Sequence, residues 1–533
     1  MKAKGYMATY FKGGTIWCHA GKTASSLRIV DGHISELDLP PHQGDEVIDL
    51  NGGFIAPAFL DGHAHPLFAG RESQGPLLNG LQSVELMLAE IARFAEANPN
   101  SQWIIGGAYE AAVVDRGDFL ATWIDEVVSD RPVVLYAVDH HTVWVNSKAL
   151  EIAGITHLTP DPEGGSIARN PDGTPRGTLR EPLAISLITE HAPARTIEGD
   201  VAAIKWASDC YLAAGVTAST DAWVEPGMAE AYIAAEKTGA LEIDINLFFL
   251  AQPDSWRDRV QYFAELRSEI EALGEESHLR AKTIKIIGDG ALSSGTAALL
   301  DPYLDDSTSN GLLIWSDAEI REAALLFDAA GYQLHIHAIG DAAVRQALNT
   351  IEAVIATNPL WDRRPVIAHA QLISPNDLPR FSALGVIANY QPLWTYLDPM
   401  NKELIAPRIG EARNNSQYQL ASMVKSGARL SYGSDWPVTT YLPLAALAVP
   451  THRQDPTGES APWTPSESIS VEASLSFYTE GVAYQTFNEK RYGRIEIGMA
   501  ADLVHLNANP LEIEPLDVAK IEVLKTYKTG RPY

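Results

Sequence analysis

The amino-acid sequence predicts an α/β fold: a (β/α)8 TIM barrel with an inserted subdomain after strand 1 and a small composite β domain from both termini. Short apolar, β-branched runs alternate with helix-period segments along most of the 533 residues, and this pattern is typical of repeated parallel βα units. Eight strands can be counted once one long stretch is set aside, and eight such units close into a barrel.

The predicted barrel strands are short and largely apolar. In chain order they are residues 54–60, 216–221, 244–250, 282–287, 333–337, 366–369, 386–390 and 429–434. Helix-period segments lie between them, at residues 201–214, 228–238, 255–273, 317–330, 341–357, 376–384 and 416–426.

The connection between the first two strands is much longer than a loop. It spans roughly 150 residues, against about 4–6 in an ordinary connection, and contains strand-like runs of its own at 103–105 and 133–138. We expect an inserted subdomain over residues 66–200, within a barrel domain of residues 57–490. At the catalytic end of strand 1 it would shape a pocket or form a lid.

The two ends of the chain resemble each other in pattern. Short strands alternate with turns in both, with Asp31-Gly32 near the start and Thr529-Gly530 near the end, and such dipeptides are typical of hairpins. Neither end alone has enough strands for a stable sheet. We therefore predict one composite β domain from residues 1–56 and 491–533.

The composition excludes several kinds of partner. Against 68 acidic residues there are 40 basic ones, a formal net charge of −28, which would repel nucleic acid and anionic membrane surfaces. No apolar run reaches the roughly 18 residues of a spanning helix, and two cysteines cannot build a disulfide framework. We expect a cytoplasmic protein without nucleic-acid or membrane partners.

A pair of histidines is the strongest sign of chemistry. It follows the first predicted strand directly, in Asp61-Gly62-His63-Ala64-His65, and residues i and i+2 of a strand point to the same side. Both imidazoles can therefore converge on one metal at the strand end where barrel enzymes place their active sites. A histidine pair in a polar loop would show the same spacing, so this motif alone does not decide.

Other predicted strands end on polar side chains of the same kind. Each has an ordinary explanation, since a lone histidine is usually a hydrogen-bonded polar residue and a lysine can extend out of its strand. Together they would surround one barrel mouth, which chance explains poorly. These residues are Lys285, His335, His337, His369 and Asp435.

The motifs resemble those of the amidohydrolase superfamily of metal-dependent hydrolases, and most closely its amidohydrolase-3 branch, which includes N-substituted formamide deformylases. The resemblance covers nearly the whole chain. Its elements are the HxH pair, K-x-x-x-D-G from Lys285, H-A-x-G-D from His337, the sixth-strand His369, G-S-D ending at Asp435, and Asn146-Ser147-Lys148-Ala149-Leu150.

The resemblance implies one or two zinc ions or another divalent metal. The implied ligands are His63, His65, Lys285, His337, His369 and Asp435. Lys285 would be a carbamylated (carboxylated) lysine bridging two metals, since burial lowers the pKa of a lysine and its neutral amine reacts with carbon dioxide. The expected substrate contacts are His141, Asn146 and Asp289.

Some positions stay open or depart from the branch pattern. His335 forms a second HxH pair with His337, and only the motif match favours His337, so His335 is expected beside the ligands or in the core, with ligation or substrate contact as the alternative. Asp139-His140-His141 replaces the usual D-G-H; His140 is either a surface-loop or a pocket residue. Pro57-Ala58 replaces the usual P-G, a minor backbone change.

The function expected from this resemblance is that of an amidohydrolase, a hydrolase of carbon–nitrogen bonds other than peptide bonds. A metal-activated water would cleave an N-acyl or N-formyl amide, with Asp435 as the catalytic proton shuttle. The partner would be a small amide-like substrate, and family habit favours a homodimer. The alternatives are a cyclic amide or ester hydrolase, an aromatic deaminase, and a regulatory or binding protein on the hydrolase fold.

Overall fold

The structure is a computed structural model, and it describes residues 8–138, 141–162 and 165–533. Two compact units divide the chain: one is Pro66–Ala207, and the other combines the chain up to His65 with the chain from Ser208 onward. None of the helices in the described ranges is both long and apolar enough to cross a membrane.

Eight parallel strands form the barrel, each hydrogen-bonded to the next along the chain. In order they are β1 (Phe59–Asp61), β2 (Val216–Val224), β3 (Asp244–Ala251), β4 (Leu279–Ile287), β5 (Gln333–Ala338), β6 (Val366–His369), β7 (Ile387–Tyr390) and β8 (Arg429–Tyr432). The ends of β8 and β1 meet through Gly62 N–H, which donates to Tyr432 O at 2.8 Å, and Asp435 N–H, which donates to His63 O at 2.7 Å. The predicted TIM barrel is confirmed.

The helices between the strands lie close to their predicted bounds. They are Ile197–Ala213, Met228–Thr238, Trp256–Glu271, Asp317–Ala329, Asp341–Thr357, Leu378–Leu384 and Leu420–Lys425. The helix Ala406–Asn414, between β7 and β8, was not predicted. Short helices follow β8 at Pro443–Ala446, Val449–His452, Val471–Ser476 and Val482–Gln485. Short 3-10 helices occur at Pro392–Trp394, Pro465–Glu467 and Pro515–Lys520. Short π-helices occur at Asn401–Ile405 and Phe477–Gly481.

A second sheet takes strands from both ends of the chain. Its strands are Thr9–His19, Lys22–Val30, His33–Leu37, Glu46–Asp49, Phe54–Pro57, Leu503–Leu506, Val523–Lys528 and Arg531–Pro532. Phe11 and Ile16 from the start of the chain pack in one core with Ile495, Leu503 and Tyr527 from its end. Each end therefore buries the apolar face of the other.

The first predicted strand, residues 54–60, is two strands in the structure. Phe54–Pro57 belongs to the terminal sheet and Phe59–Asp61 to the barrel. Between them Ala58 N–H donates to Asp502 O, and Phe59 N–H then donates to Gly215 O, both at 2.9 Å. The run reads as one strand in the sequence because every residue in it is buried, in one sheet or the other.

The unit Pro66–Ala207 has its own five-stranded sheet. The strands are Ile104–Tyr109, Val133–Ala137, Thr142–Val145, Ser166–Arg169 and Pro175–Arg180. The helices are Pro66–Glu72, Val84–Ala97, Ala121–Asp125, Ser147–Ile152 and Pro182–Thr189, with short 3-10 turns at Ala111–Val113 and Asp115–Gly117. Its core includes Phe119 and Trp144.

Candidate metal centre

Two glycines allow the ends of β1 and β8 to approach closely. A Cβ on Gly433 would lie 2.5 Å from both N and Cβ of His63, and a Cβ on Gly62 would lie 2.8 Å from Tyr432 O. No side chain fits at such distances. The backbone that carries His63 and His65 therefore packs directly against the backbone that carries Asp435.

Asp61 links the ends of β1 and β8 through hydrogen bonds. Its Oδ1 accepts hydrogen bonds from the N–H groups of Ser434 at 2.9 Å and His63 at 3.3 Å, and its Oδ2 accepts one from the Tyr211 hydroxyl at 3.0 Å. Burial raises the pKa of Asp61 to about 6, although these hydrogen bonds act to lower it. Asp61 thus holds the backbone of His63 and Ser434 in place.

His63, His65 and Asp435 bring three donor atoms to one point. The Nε2 atoms of His63 and His65 lie 3.4 and 3.1 Å from the same carboxylate oxygen, Oδ1 of Asp435. Among the described residues these three are the one group of His, Cys, Asp or Glu side chains whose donor atoms all lie within 4.8 Å of one another. All three are buried.

Asp435 has an uncommon backbone conformation and a lowered pKa. Its φ of +59° lies in the left-handed region, where residues other than glycine are uncommon and often functional. Burial acts to raise the pKa of Asp435, but the hydrogen bond from His65 and the charges of His369 and Lys285 lower it to about 2. The carboxyl group is therefore ionised at neutral pH.

Lys285 lies on β4 beside the same cluster. Its Nζ is 3.3 Å from His63 Nε2, and the side chain is only 1% exposed. Burial lowers the pKa of Lys285 to about 7, against an opposing effect of Asp435. Near neutral pH much of this lysine is an uncharged amine, which is the form that the predicted modification requires.

His369 and His337 lie next to the cluster. The ring centroids are 4.9 Å apart for His63 and His369 and 4.6 Å apart for His369 and His337. The Nε2 of His337 approaches Gly290 O at 3.4 Å. The structure thus gathers all six predicted ligands, but the donor atoms of His337 and His369 are not part of the three-residue group.

His335 contacts His63 on the side away from Asp435. Its Nε2 is 2.8 Å from His63 Nδ1, and its ring packs against Phe248 with centroids 4.7 Å apart. The i,i+2 spacing could not separate His335 from His337, whereas the structure places His335 beside His63, one of the predicted ligands. It holds His63 by Nδ1 and leaves Nε2 facing the site.

Asp289 is hydrogen-bonded to backbone N–H groups. Its two oxygens accept hydrogen bonds from the N–H groups of Ile339, Gly340 and Ala298, at 2.8–2.9 Å. Burial raises the pKa of Asp289 to about 7, although the three hydrogen bonds act to lower it. Asp289 therefore fixes the loops after β4 and β5, and its role as a substrate contact stays a prediction.

Asn146 is also engaged by backbone, within the unit Pro66–Ala207. Its Oδ1 accepts from the N–H groups of Val133 and Ala149, and its Nδ2 donates to the carbonyls of Val128 and Arg131. It caps the helix Ser147–Ile152, and these bonds occupy the side chain that was expected to contact substrate. The N-S-x-A-L motif is therefore explained by helix capping.

The other predicted contact in this unit is His141, which is exposed and has Nδ1 3.0 Å from Glu181 Oε2. Its role as a substrate contact stays a prediction. Asp139 and His140 lie outside the described residues.

Several residues of the site were not among the candidates from the sequence. Gln391 accepts a hydrogen bond from His369, Trp394 stacks on the His369 ring at 5.5 Å, and Trp223 meets the His65 ring edge-on at 6.5 Å. Gln391 follows the end of β7, where the rule that placed the other site residues would also have pointed. Tryptophans near strand ends are at least as often core residues as pocket residues, so position alone did not make Trp394 a candidate.

The donor set fits a divalent metal such as zinc, which binds neutral imidazole nitrogen and carboxylate oxygen. Burial and the nearby Lys285 keep the pKa of His63 well below its ordinary value of 6.5, and burial lowers the pKa of His369 to about 4. The Nδ1 atoms of both rings are engaged by neighbours, so the Nε2 atoms are the ones available as ligands.

An α/β barrel that collects buried histidines, a lysine and an aspartate at the carboxyl ends of its strands has the architecture of a metal-dependent hydrolase. The chain belongs to the amidohydrolase family, whose model matches residues 46–533. This confirms the resemblance to the amidohydrolase-3 branch.

Individual relatives match almost end to end. The chain is 30% identical over 525 residues to Protein LONG AFTER FAR-RED 3 of Arabidopsis thaliana, covering 95% of this chain and 88% of that protein. It is 28% identical over 502 residues to the N-substituted formamide deformylase of Arthrobacter pascens, covering 91% and 89%. The crystal structure of an uncharacterized metal-dependent hydrolase from Pyrococcus furiosus matches with a TM-score of 0.72 and 25% identity, covering 96% and 100%.

Proposed function

We propose that this protein hydrolyses the C–N bond of an open-chain amide, an N-acyl or N-formyl compound, at the centre formed by His63, His65 and Asp435. The observation that carries the proposal is the convergence of two imidazole Nε2 atoms on one ionised carboxylate oxygen, at 3.1 and 3.4 Å. The relationship to an N-substituted formamide deformylase supports an amide as the substrate.

His63, His65, Lys285, His337, His369 and Asp435 would hold one or two zinc ions. When bound, the metal would polarise the substrate carbonyl and lower the pKa of a water molecule. Carbamylation of Lys285 would join its neutral amine to carbon dioxide with loss of one proton, giving an anionic carbamate whose oxygens could act as ligands. The low pKa of this lysine, caused by its burial, supports that reaction.

Asp435 would move the proton. As water oxygen attacks the carbonyl carbon, one water proton passes to the Asp435 carboxylate, which is ionised at neutral pH. Asp435 then returns that proton to the nitrogen as the C–N bond breaks, which yields a carboxylic acid and a free amine. One residue thus acts first as general base and then as general acid.

The test is a hydrolysis screen of the zinc-loaded full-length protein. N-formyl amines, N-acyl amino acids, lactams and esters are offered, and both products are quantified. We expect carboxylate and amine in equal amounts from an open-chain amide, with activity lost on chelation and restored by zinc. The Asp435→Asn protein, loaded to the same zinc content, is the control for adventitious hydrolysis.

Other outcomes select the alternatives. Ammonia released from an aromatic ring would indicate a deaminase, and a single ring-opened product a cyclic amide hydrolase. Metal-dependent ligand binding without any product would indicate a regulatory or binding protein on this fold. The small-molecule partner, the homodimer and the cytoplasmic location remain predictions.

A further inference from the structure

A chain of buried amide side chains runs through the barrel beneath the metal centre. It begins at His369, whose Nδ1 is 2.7 Å from Gln391 Oε1, and continues from Gln391 Nε2 to Asn389 Oδ1 at 3.2 Å. Asn389 Nδ2 then donates to Gln485 Oε1 at 3.1 Å, and Gln485 Nε2 donates to Gly62 O at 2.7 Å. Gln391, Asn389 and Gln485 are wholly shielded from solvent.

The backbone carbonyl at one end fixes the direction of every bond in the chain. Gly62 O can only accept, so Gln485 must present its NH2 group there and turn its oxygen toward Asn389. Asn389 must then present its NH2 group to Gln485 and its oxygen to Gln391. Gln391 in turn must present its NH2 group to Asn389, which leaves its oxygen facing His369.

The last member of the chain must therefore donate. An oxygen at 2.7 Å from His369 Nδ1 requires a proton on that nitrogen, and a neutral imidazole with Nδ1–H has a lone pair on Nε2. The tautomer of a histidine is set by the hydrogen bond of its other nitrogen. Here that bond is set in turn by a backbone carbonyl at the far end of the amide chain.

We propose that Gln391, Asn389 and Gln485 are positioning residues that hold His369 as the Nδ1–H tautomer, so that its Nε2 is available to the metal. None of the three is a catalytic residue. Gly62 is required for the same arrangement, because a Cβ at this position would lie 2.8 Å from Asn389 Nδ2. The glycine between Asp61 and His63 thus keeps room for the amide chain.

The arrangement is too complete for incidental polar packing. Asn389 Nδ2 donates a second hydrogen bond to Ser431 Oγ at 3.0 Å, and Ser431 Oγ donates to Gln485 Oε1. Each amide oxygen in the chain therefore accepts, and each amide nitrogen donates. Turning any one of these buried amide groups around would leave donors facing donors and acceptors facing acceptors, which is costly in a buried network. The tautomer of His369 at the end of the chain is therefore fixed.

The test reads the tautomer directly in the metal-free protein. Ring-15N-labelled histidine is incorporated, the His369 signals are assigned by their loss in a His369→Gln variant, and the protonated nitrogen is identified by NMR. The wild type should show Nδ1–H. Gln391→Met removes the acceptor and should populate Nε2–H, whereas Gln391→Glu keeps an acceptor and should retain Nδ1–H.

A distant variant tests the relay itself. Gln485→Met should also raise the Nε2–H fraction of His369, although Gln485 reaches that ring only through Asn389 and Gln391. The matched control is Gln346→Met, which removes another buried glutamine, one that bonds to Trp315 O and Asp317. It should lower stability without changing the tautomer.

Zinc affinity provides the second readout, by competition with a chelator. Gln391→Met should raise the zinc dissociation constant by about 10-fold or more, the usual effect of losing a partner of a ligating histidine, while Gln346→Met should leave it unchanged. This readout rests on the proposed function. A wild type that binds no zinc would contradict the metal centre, and the tautomer would still decide the relay.

Two results would overturn the inference. One is a wild-type His369 that carries its proton mainly on Nε2. The other is a folded Gln391→Met protein in which the tautomer is unchanged from the wild type.

Discussion

Asp435 can be changed to asparagine without altering the backbone that carries it, because asparagine also tolerates the left-handed region where Asp435 lies, at φ +59°. The Asp435→Asn side chain would keep the size and one oxygen of the original but could not accept a proton. We expect kcat to fall by about 10²–10⁴-fold, as for loss of an acid/base group, with zinc content largely retained. Zinc content, kcat and melting temperature are measured on one sample.

A purely structural role for Asp435 makes the opposite prediction. If the carboxylate only capped the loop after β8, its loss would appear in the melting temperature and leave turnover per bound zinc unchanged. Near-normal turnover at full metal content would therefore refute the proton-shuttle role.

At the residue scale, the sequence located most of the site but could not assign every role. The position of His63 and His65 after a strand was enough to predict that their side chains converge. His335 and His337 lie two residues apart on one strand, so their side chains point to the same side and the spacing does not tell which one is the predicted ligand. The structure separates them by their contacts: His335 contacts the ring of His63. Gln391 was missed because a glutamine alone carries no chemical signature.

Lys528 connects the terminal sheet to the barrel. Its buried Nζ donates to Asp244 Oδ2 at the start of β3, at 2.8 Å, and to Asp502 Oδ2, at 2.7 Å. Lys528→Met would leave these carboxylates without their shared cation, although Arg491 still lies 3.3 Å from Asp244. We expect the free energy of unfolding to fall by about 3 kcal/mol, the lower end for breaking a buried ion pair, measured by chemical denaturation.

The matched control is Lys520→Met, which removes an ion pair with Asp517 from a lysine whose side chain is 78% exposed. Such pairs contribute about 0–1 kcal/mol. An equal fall in the free energy of unfolding in both variants would show that the buried ion pairs of Lys528 stabilise the protein no more than an exposed pair does.

The effect of Lys528→Met should depend on pH. Burial acts to raise the pKa of Asp244, but Lys528 and Arg491 hold it below its ordinary value of 3.8. Stability that comes from a carboxyl group with a lowered pKa is present above that ordinary value and is lost as the pH falls through the folded-state pKa. The difference between wild type and variant should therefore be largest near neutral pH and shrink below about pH 3.8.

The two ends of the chain should lose protection together. Deleting residues 491–533 removes Leu503–Leu506, the strand that pairs with Phe54–Pro57, and takes Ile495 and Tyr527 out of the core that covers Phe11. Amide exchange across residues 14–54 should become much faster. The control is deletion of residues 531–532 and Tyr533, which removes the exposed two-residue edge strand and the hydrogen bonds of Tyr533 to Thr526 and Glu242, and should leave this protection intact.

A helix or strand could be predicted from the sequence where its hydrophobic periodicity reflects packing against a single sheet. The helices Met228–Thr238 and Asp341–Thr357 have the bounds that their apolar spacing predicts. The run from Phe54 was misassigned as a single barrel strand, because burial in either of two sheets gives the same apolar sequence. Only the change of hydrogen-bond partner at Ala58, from one sheet to the other, marks the boundary.

For the whole molecule, we predict one to two equivalents of zinc or a similar divalent ion in the purified protein, by analogy with hydrolase centres. Because the folded state alone offers the converged donors, added zinc should raise the melting temperature, corresponding to about 2.7 kcal/mol at 100 times the dissociation constant. Elemental analysis and thermal unfolding check this. Active protein free of transition metal would contradict it.

His63→Ala separates metal binding from general stability. It removes one donor from the group of three, so both the zinc content and the zinc-induced rise in melting temperature should fall. An unchanged rise would place the bound metal elsewhere.

The joining of β1 to β8 also sets when the site can exist during protein synthesis. Asp435, the carboxylate partner of His63 and His65, leaves the ribosome some 370 residues after His65, and the strand Leu503–Leu506 that flanks Phe54–Pro57 comes later still. A nascent chain that stops before β8 offers histidines from several strands, but neither the carboxylate of Asp435 nor a closed barrel. The full set of predicted ligands can therefore come together only after β8 and Asp435 have been synthesised.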